Sequence, residues 1–432
     1  MRLATLALGL LLSASGTEAQ EKPHYPPLAP VSDSPAFGAG VQRTMTLLAT
    51  STREKRNRVK VLFYGQSITE QDWWKLVAED LRKRFPNADL VIENRAVGGF
   101  ASQLLSRLAE HDIPAFYPDL VIFHVYGAND KYEEILKLIR SRTTSEILIQ
   151  RDHVTKWPVE KPEQKDPMWW DHMMNDVFLP DYAKKYGCGL ADVRGQWLAY
   201  LKANALEPKA LLSDDVHLNG HGCFVMAEIV KRYLVAKPAL LTDDAKGAVR
   251  TFPLGKDGKL EFEGNRVDLI GGKAAKVLID GKAPSEIPEC VAFTRTSLSQ
   301  SFWGPALLRV SSAKPRVPED WTLKVTEVDE KAERIRFSVT GSVTGPDGEG
   351  VSAERFESKS GRVVIEPGDW WIKNVQDYTK KAIPPGFEVK WKAVLLGDEA
   401  AGTVAQGLPN GKHVLELVGA EGVKEVRIYH PK

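Results

Sequence analysis

The sequence predicts two structural classes in one chain: an α/β domain on a parallel sheet, followed by an all-β sandwich of jelly-roll-like character. Three observations point there. From about residue 58 to 236, short apolar runs alternate with segments of helical period. After Lys237-Pro238 the helical periods stop, and short strands are punctuated by Gly-Gly, Asp-Gly and Pro-Asp-Gly turns. The 432 residues are enough for two or three domains of about 100–200 residues each.

In the first half, 59–64 reads as a buried strand. Apolar residues at Trp73, Trp74, Val77, Leu81 and Phe85 predict a helix over 70–85. A strand at 89–93, a helix near 102–110 and a strong β run over 120–126 follow. A helix near 131–141, a strand at 146–149, a helix near 170–186, a strand at 189–193 and a helix near 221–234 complete the pattern. Strands alternating with helices require right-handed crossovers, hence a parallel sheet covered on both faces. Functional groups in such sheets gather beyond the carboxyl ends of the strands. Residues 151–169, with three prolines plus Trp157 and Trp169, interrupt the rhythm and predict a long irregular loop. In the second half, 266–270, 276–280, 334–339, 362–365, 413–418 and 426–429 read as strands.

The first residues are read as lying outside the fold. One positive charge at Arg2, an apolar stretch through Leu12 and small residues before Ala19 describe a secretory signal cleaved after Ala19. That stretch is shorter than the ~20 apolar residues a bilayer span needs, and no later stretch is long and apolar enough. The expected organisation is a signal peptide over 1–19, an extended lead-in over 20–57, an α/β domain over 58–240 and a β-sandwich over 248–432. The expected location is secreted or periplasmic.

Lys and Arg number 58 against 57 Asp and Glu, with no basic block, which argues against a nucleic-acid binder, whose phosphate contacts need a basic face. The cysteines Cys188, Cys223 and Cys290 are odd in number and lack metal-ligand spacing. At least one is a free thiol, and Cys188 and Cys223 bridge only if the fold brings them together.

Four segments carry chemistry, each at a strand-to-helix junction or a loop near the sheet's carboxyl edge. The first is Tyr64-Gly65-Gln66-Ser67-Ile68-Thr69, with a serine at a helix start, where free N–H groups favour negative charge. Taken alone, it is also an ordinary N-cap. The second, Asn94-Arg95-Ala96-Val97-Gly98-Gly99-Phe100-Ala101-Ser102, has paired glycines that let backbone approach a ligand. In the third, Gly127-Ala128-Asn129-Asp130, the asparagine amide can donate to an oxyanion. In the fourth, 213–222, Asp214 precedes His217 by three residues, so its carboxylate can hold one ring nitrogen and free the other as a base. A metal pair of His217 and His221 is the competing reading of that segment.

Together the four segments resemble the SGNH, or GDSL-like, hydrolase superfamily over roughly residues 58–236. The resemblance implies a flavodoxin-like three-layer domain with Ser67 as nucleophile and Asp214 and His217 completing a triad. It also implies an oxyanion hole of Ser67, Gly99 and Asn129, with no metal or cofactor. Gln66 stands where the family usually has Asp, and a Gly-Gln-Ser start is similar to acetylesterases acting on sugars, including sialate O-acetylesterase-like proteins. The expected activity is therefore O-acyl, above all O-acetyl, ester hydrolysis on a carbohydrate. Gln66, Arg95, His153 and Trp157 are the expected substrate contacts. Trp303, Trp370, Trp371 and Trp391 serve either to stack on sugar or to fill a core or interface. The alternatives are a lipid-type esterase, lysophospholipase or thioesterase on the same triad, and a glycan-binding protein with an inactive hydrolase domain. The expected partner is an acylated carbohydrate, with no membrane span and no reading of oligomeric state.

Overall fold

The computed structural model describes residues 24–296, 304–331, 333–372, 376, 380–397 and 402–431. The expected signal peptide over 1–19 and Trp303 lie outside the described residues.

Five strands, β1 (Arg58–Gly65), β2 (Asp89–Asn94), β3 (Leu120–His124), β4 (Glu146–Gln150) and β5 (Gly189–Ala191), form one parallel sheet in the order β2-β1-β3-β4-β5. This is the flavodoxin-like doubly wound order, whose direction reverses between β1 and β3. In sheets of this order ligands bind beyond the strands' carboxyl ends at that point. All five residues of β3 are buried, as expected of a strand covered on both faces. The helices on one face are α1 (Gln42–Ala49), α3 (Trp73–Arg84), α8 (Val193–Ala203) and α9 (Gly220–Tyr233). They pack Met45, Trp73, Trp197 and Ile229 against Val61, Phe63 and Ile122. On the other face α4 (Ser102–Phe116), α5 (Asn129–Arg142) and α7 (Leu179–Lys185) set Leu105, Ile135 and Leu179 against Tyr64 and Phe123. A single turn of helix, α2 (Ser67–Glu70), links β1 to α3, and another, α6 (Trp169–His172), leads through a π-type turn over Met173–Phe178 into α7.

Several elements differ in their bounds from the sequence expectation, and three of the differences bear on the core. The lead-in over 20–57 contains helix α1, whose Met45 and the preceding Val41 are fully buried, so this segment belongs to the α/β core. Helix α4 runs on to Phe116 because Ile113 and Phe116 also bury against the core. The strand expected over 189–193 stops at Ala191, since the Asp192 side chain accepts the Gly195 N–H at 3.0 Å and starts α8.

The second half is antiparallel throughout, and its sandwich encloses an insertion. A four-stranded sheet (Thr403–Gln406, Arg266–Ile270, Glu425–Tyr429, Val249–Pro253) faces a three-stranded one (Lys259–Glu263, Lys412–Glu421, Lys273–Ile279) over a shared core of Val267, Ile279, Leu415 and Val426. Between these strands in the chain, a five-stranded sheet (Val291–Phe293, Glu388–Leu395, Glu319–Asp329, Arg334–Gly341, Gly345–Val351) packs on the α/β domain. The His111 ring on α4 meets the Phe293 carbonyl at 3.2 Å, and Arg107 pairs with the buried Asp369. The Trp371 ring lies 4.6 Å from that of Phe100, next to the paired glycines. Trp371 and Trp391 are both buried, which makes them core rather than sugar-facing, and Trp370 rests on Phe337.

Trp371→Ala should destabilise the protein by about 3–5 kcal/mol, the usual cost of deleting a buried indole, as read from urea unfolding. A loss below about 1 kcal/mol would show that this contact is not a major tie between the domains.

Among the described residues no helix is long and apolar enough to cross a membrane. All three cysteines are free, so Cys188 and Cys223 do not bridge. Burial pushes the Cys188 thiol up to about 11 and that of Cys290 to about 12, which keeps both protonated and poorly nucleophilic.

Candidate active site

Three of the four segments project from the carboxyl ends of β1, β2 and β3, and the fourth precedes α9. After β1 ends at Gly65, Gln66 stays extended and Ser67 begins α2, half-buried. Gly98 stands against it. A side-chain carbon added at Gly98 would lie 3.5 Å from Ser67 Cβ and 2.8 Å from Glu70 Oε2, so a larger residue would crowd the serine turn. The Gly98 N–H donates to Glu70 Oε2 at 3.0 Å. That leaves Gly99, exposed at the tip with φ 72°, as the glycine whose N–H has no acceptor among the described residues. Asn94 ties the same turn down by donating from Nδ2 to the Thr69 carbonyl at 2.7 Å.

Asn129 opens α5. The preceding Gly127 has φ 135°, and a Cβ there would fall 2.6–2.8 Å from Gln103 Oε1, Ser102 Oγ and Ser102 N. Only glycine lets the loops close this tightly. Ser102 Oγ donates to the Ala128 carbonyl at 2.7 Å, and the Ser102 N–H to the Tyr126 carbonyl at 3.0 Å. Asn129 is half-buried, and its buried Oδ1 has no hydrogen-bond partner among the described residues. The amide therefore keeps unspent hydrogen-bonding capacity.

Asp214 and His217 form a closed unit. Asp214 Oδ1 accepts the Val216 N–H at 2.8 Å and the His217 N–H at 2.7 Å, while Oδ2 lies 2.7 Å from His217 Nδ1. These bonds, the His217 backbone N–H foremost, hold the carboxyl down at about 2. An ionised carboxylate there requires the proton on Nδ1, which leaves Nε2 with its lone pair. Neither Ser67 Oγ nor His217 Nε2 has a hydrogen-bond partner among the described residues, so both atoms remain available for chemistry. Catalytic hydrogen bonds often tighten only once substrate is bound.

One side chain joins the serine turn to the histidine loop, and the sequence reading missed it. Gln71, four residues after Ser67, donates from Nε2 to the Leu218 carbonyl at 2.8 Å and accepts the Leu218 N–H on Oε1 at 2.9 Å. Nothing in the sequence distinguished Gln71 from any polar residue in a helical linker.

The other expected residues divide. Gln66 is half-buried beside Ser67, and Trp157 is 40% exposed, its indole donating to Glu207 Oε2 at 2.6 Å. Arg95 and His153, also expected at the substrate, both bond within the protein. Arg95 bonds Glu93 at 2.7 Å and the Asp112 carbonyl at 2.6 Å, with its guanidinium over Phe116. His153 is 4% exposed and its Nε2 meets the Val216 carbonyl at 2.8 Å. His221 is not paired with His217: its Nε2 meets the Tyr200 hydroxyl at 2.7 Å and its ring stacks on Tyr25 at 4.2 Å. Among the described residues no three His, Cys, Asp or Glu side chains are grouped to hold a metal ion.

A scan against protein-family models and a search of curated proteins each returned no match. Solved structures similar to this chain include an α/β hydrolase from the metagenome of Lake Arreo (20% identity, TM-score 0.35, covering 42% of this chain and 98% of that one). A GDSL-like lipase from Parabacteroides merdae is similar at 17% identity (TM-score 0.36, 41% and 96% covered). An acetylxylan esterase from Geobacillus stearothermophilus is similar at 19% identity (TM-score 0.36, 42% and 96% covered).

Proposed function

We propose that the chain is a serine esterase that removes O-acyl, chiefly O-acetyl, groups from a carbohydrate. The observation that carries this reading is the Asp214–His217 unit, with its free Nε2, joined through Gln71 to the turn that bears Ser67. In this mechanism Ser67 Oγ attacks the ester carbonyl as His217 Nε2 takes its proton. The imidazolium, steadied by Asp214, returns that proton to the leaving alcohol, and a second cycle with water releases the acid. The N–H groups of Ser67 and Gly99 and the amide of Asn129 receive the tetrahedral oxyanion. Each proton passes through His217, from Ser67 to the leaving alcohol and then from water back to Ser67, so no step calls for a cofactor.

Asn129→Ala should lower kcat by about 10²–10³-fold, the loss typical of one oxyanion donor, with KM little changed. Unchanged kcat would remove Asn129 from the oxyanion hole.

The Gly-Gln-Ser turn, similar to that of sugar acetylesterases, supports a carbohydrate substrate, as does the exposed Trp157. Acetate release from acetylated xylan, pectin and sialic acid, compared with hydrolysis of long-chain esters, tests this, with Ser67→Ala as control. Preference for long-chain esters would move the assignment to lipids. Secretion belongs to the same proposal. N-terminal sequencing of the protein recovered from culture medium should begin at Gln20, and an intact Met1 would oppose it.

A further inference from the structure

The backbone on either side of His217 is held by a side chain from elsewhere in the chain. On the far side, Gln71 takes both the N–H and the carbonyl of Leu218, at 2.9 and 2.8 Å. On the near side, His153 Nε2 meets the Val216 carbonyl at 2.8 Å. A carbonyl only accepts, so His153 carries its proton on Nε2. Burial lowers the pKa of this imidazole, which favours that neutral form, and Nδ1 is buried without a hydrogen-bond partner among the described residues. The ring is wedged against Trp197, at 5.5 Å between centroids, and beside it Asp152 pairs with His124 at 2.6 Å.

The loop needs holding. Asp214 and the His217 side chain are 57% and 40% exposed, and Asp214's contacts to Val216 and His217 lie within the loop itself. Those contacts set the shape of the turn but not its place relative to Ser67. Gln71 reaches in from the serine turn and His153 from the loop after β4, each to one of the two residues flanking His217.

We propose that Gln71 and His153 are positioning residues for the general base: together they clamp residues 216 and 218 and thereby place His217 Nε2 against the Ser67 hydroxyl. The inference rests on the esterase reading above. It reassigns His153 from a substrate contact to a residue that acts through His217.

The test measures p-nitrophenyl acetate hydrolysis by Gln71→Met, His153→Phe and His153→Gln, with turnover counted per serine titrated by a fluorophosphonate. Gln71→Met keeps length and removes both hydrogen bonds, and its partly buried site favours folding. His153→Phe keeps the ring and loses the donor, whereas His153→Gln restores an N–H to the same carbonyl. The expected result is a fall in kcat per titrated site of about 10- to 100-fold for Gln71→Met and His153→Phe, since displacement of about 1 Å costs up to 10²-fold. KM should hold, and His153→Gln should recover most of the loss. A merely structural role would reduce the number of titratable sites and the melting temperature while leaving turnover per site intact. Turnover per site within about threefold of the parent in both variants would overturn the clamp, as would failure of His153→Gln to recover activity. Absence of activity in the parent would instead sink the esterase reading, so the two failures are distinct.

Discussion

Ser67→Ala is expected to lower kcat on an acetyl ester by about 10⁴-fold or more, leaving only the residual rate that the oxyanion donors and binding supply. In the proposed mechanism, removing the hydroxyl removes the atom that would form the acyl-enzyme. The cysteines are held as thiols by burial, and His217 would be left with no alcohol to deprotonate. The substitution should leave the fold intact. The Ser67 hydroxyl makes no hydrogen bond to a described residue, and alanine is accommodated at the start of a helical turn. Stability should therefore change by no more than about 0.5 kcal/mol. Rates on p-nitrophenyl acetate and a melting curve check both halves. An alanine variant that retains parental activity would end the assignment of Ser67.

Asp214→Asn is expected to cost about 10³–10⁴-fold in kcat, close to the loss seen when such a carboxylate is made an amide elsewhere. The oxygen of the substituted side chain could still accept the Val216 and His217 N–H groups, so the turn should survive. Its NH₂ would then face His217 Nδ1, a donor against a donor, and the ring would shift its proton to Nε2. The base would lose its lone pair where Ser67 needs it. The pH profile gives a second check. The Asp214 carboxyl is held down at about 2, below its value in the unfolded chain. Its contribution to the folded loop is thus present above the ordinary carboxylate range and fades only as pH falls through about 2. The acid limb of kcat/KM should therefore show no inflection from Asp214. A carboxylate inflection that disappears in Asp214→Asn would contradict the bonding described here.

Much of the candidate site was legible in the sequence because each of its segments is local. Asp214 and His217 are three residues apart, and a tight turn alone lets the carboxylate reach both the ring and the intervening N–H groups. Gly127 and Asn129 sit together because the chain must turn sharply from β3 into α5. The alternation of strand and helix likewise led to a parallel sheet, since crossovers of that length permit little else. The partners of two expected substrate contacts were not legible in this way. Arg95 and His153 look like free polar groups in the sequence, but Glu93, the Asp112 carbonyl and the Val216 carbonyl engage them once the chain folds.

By itself, the sequence determined the α/β-then-β order, the sheet's direction and the residue types at its carboxyl edge, because periodicity and turn chemistry act over a few neighbours. Only the tertiary structure decided that residues 42–49 are core, that the sandwich encloses an inserted sheet and that its strands at 403–429 return to those at 249–279. It alone placed Trp371 on Phe100, and Gln71 on Leu218 across 147 residues of chain. Such pairings are chosen by which buried surfaces and backbone groups find complementary partners in space. No local pattern encodes that choice, because Gln71 would look the same whether it faced Leu218 or water.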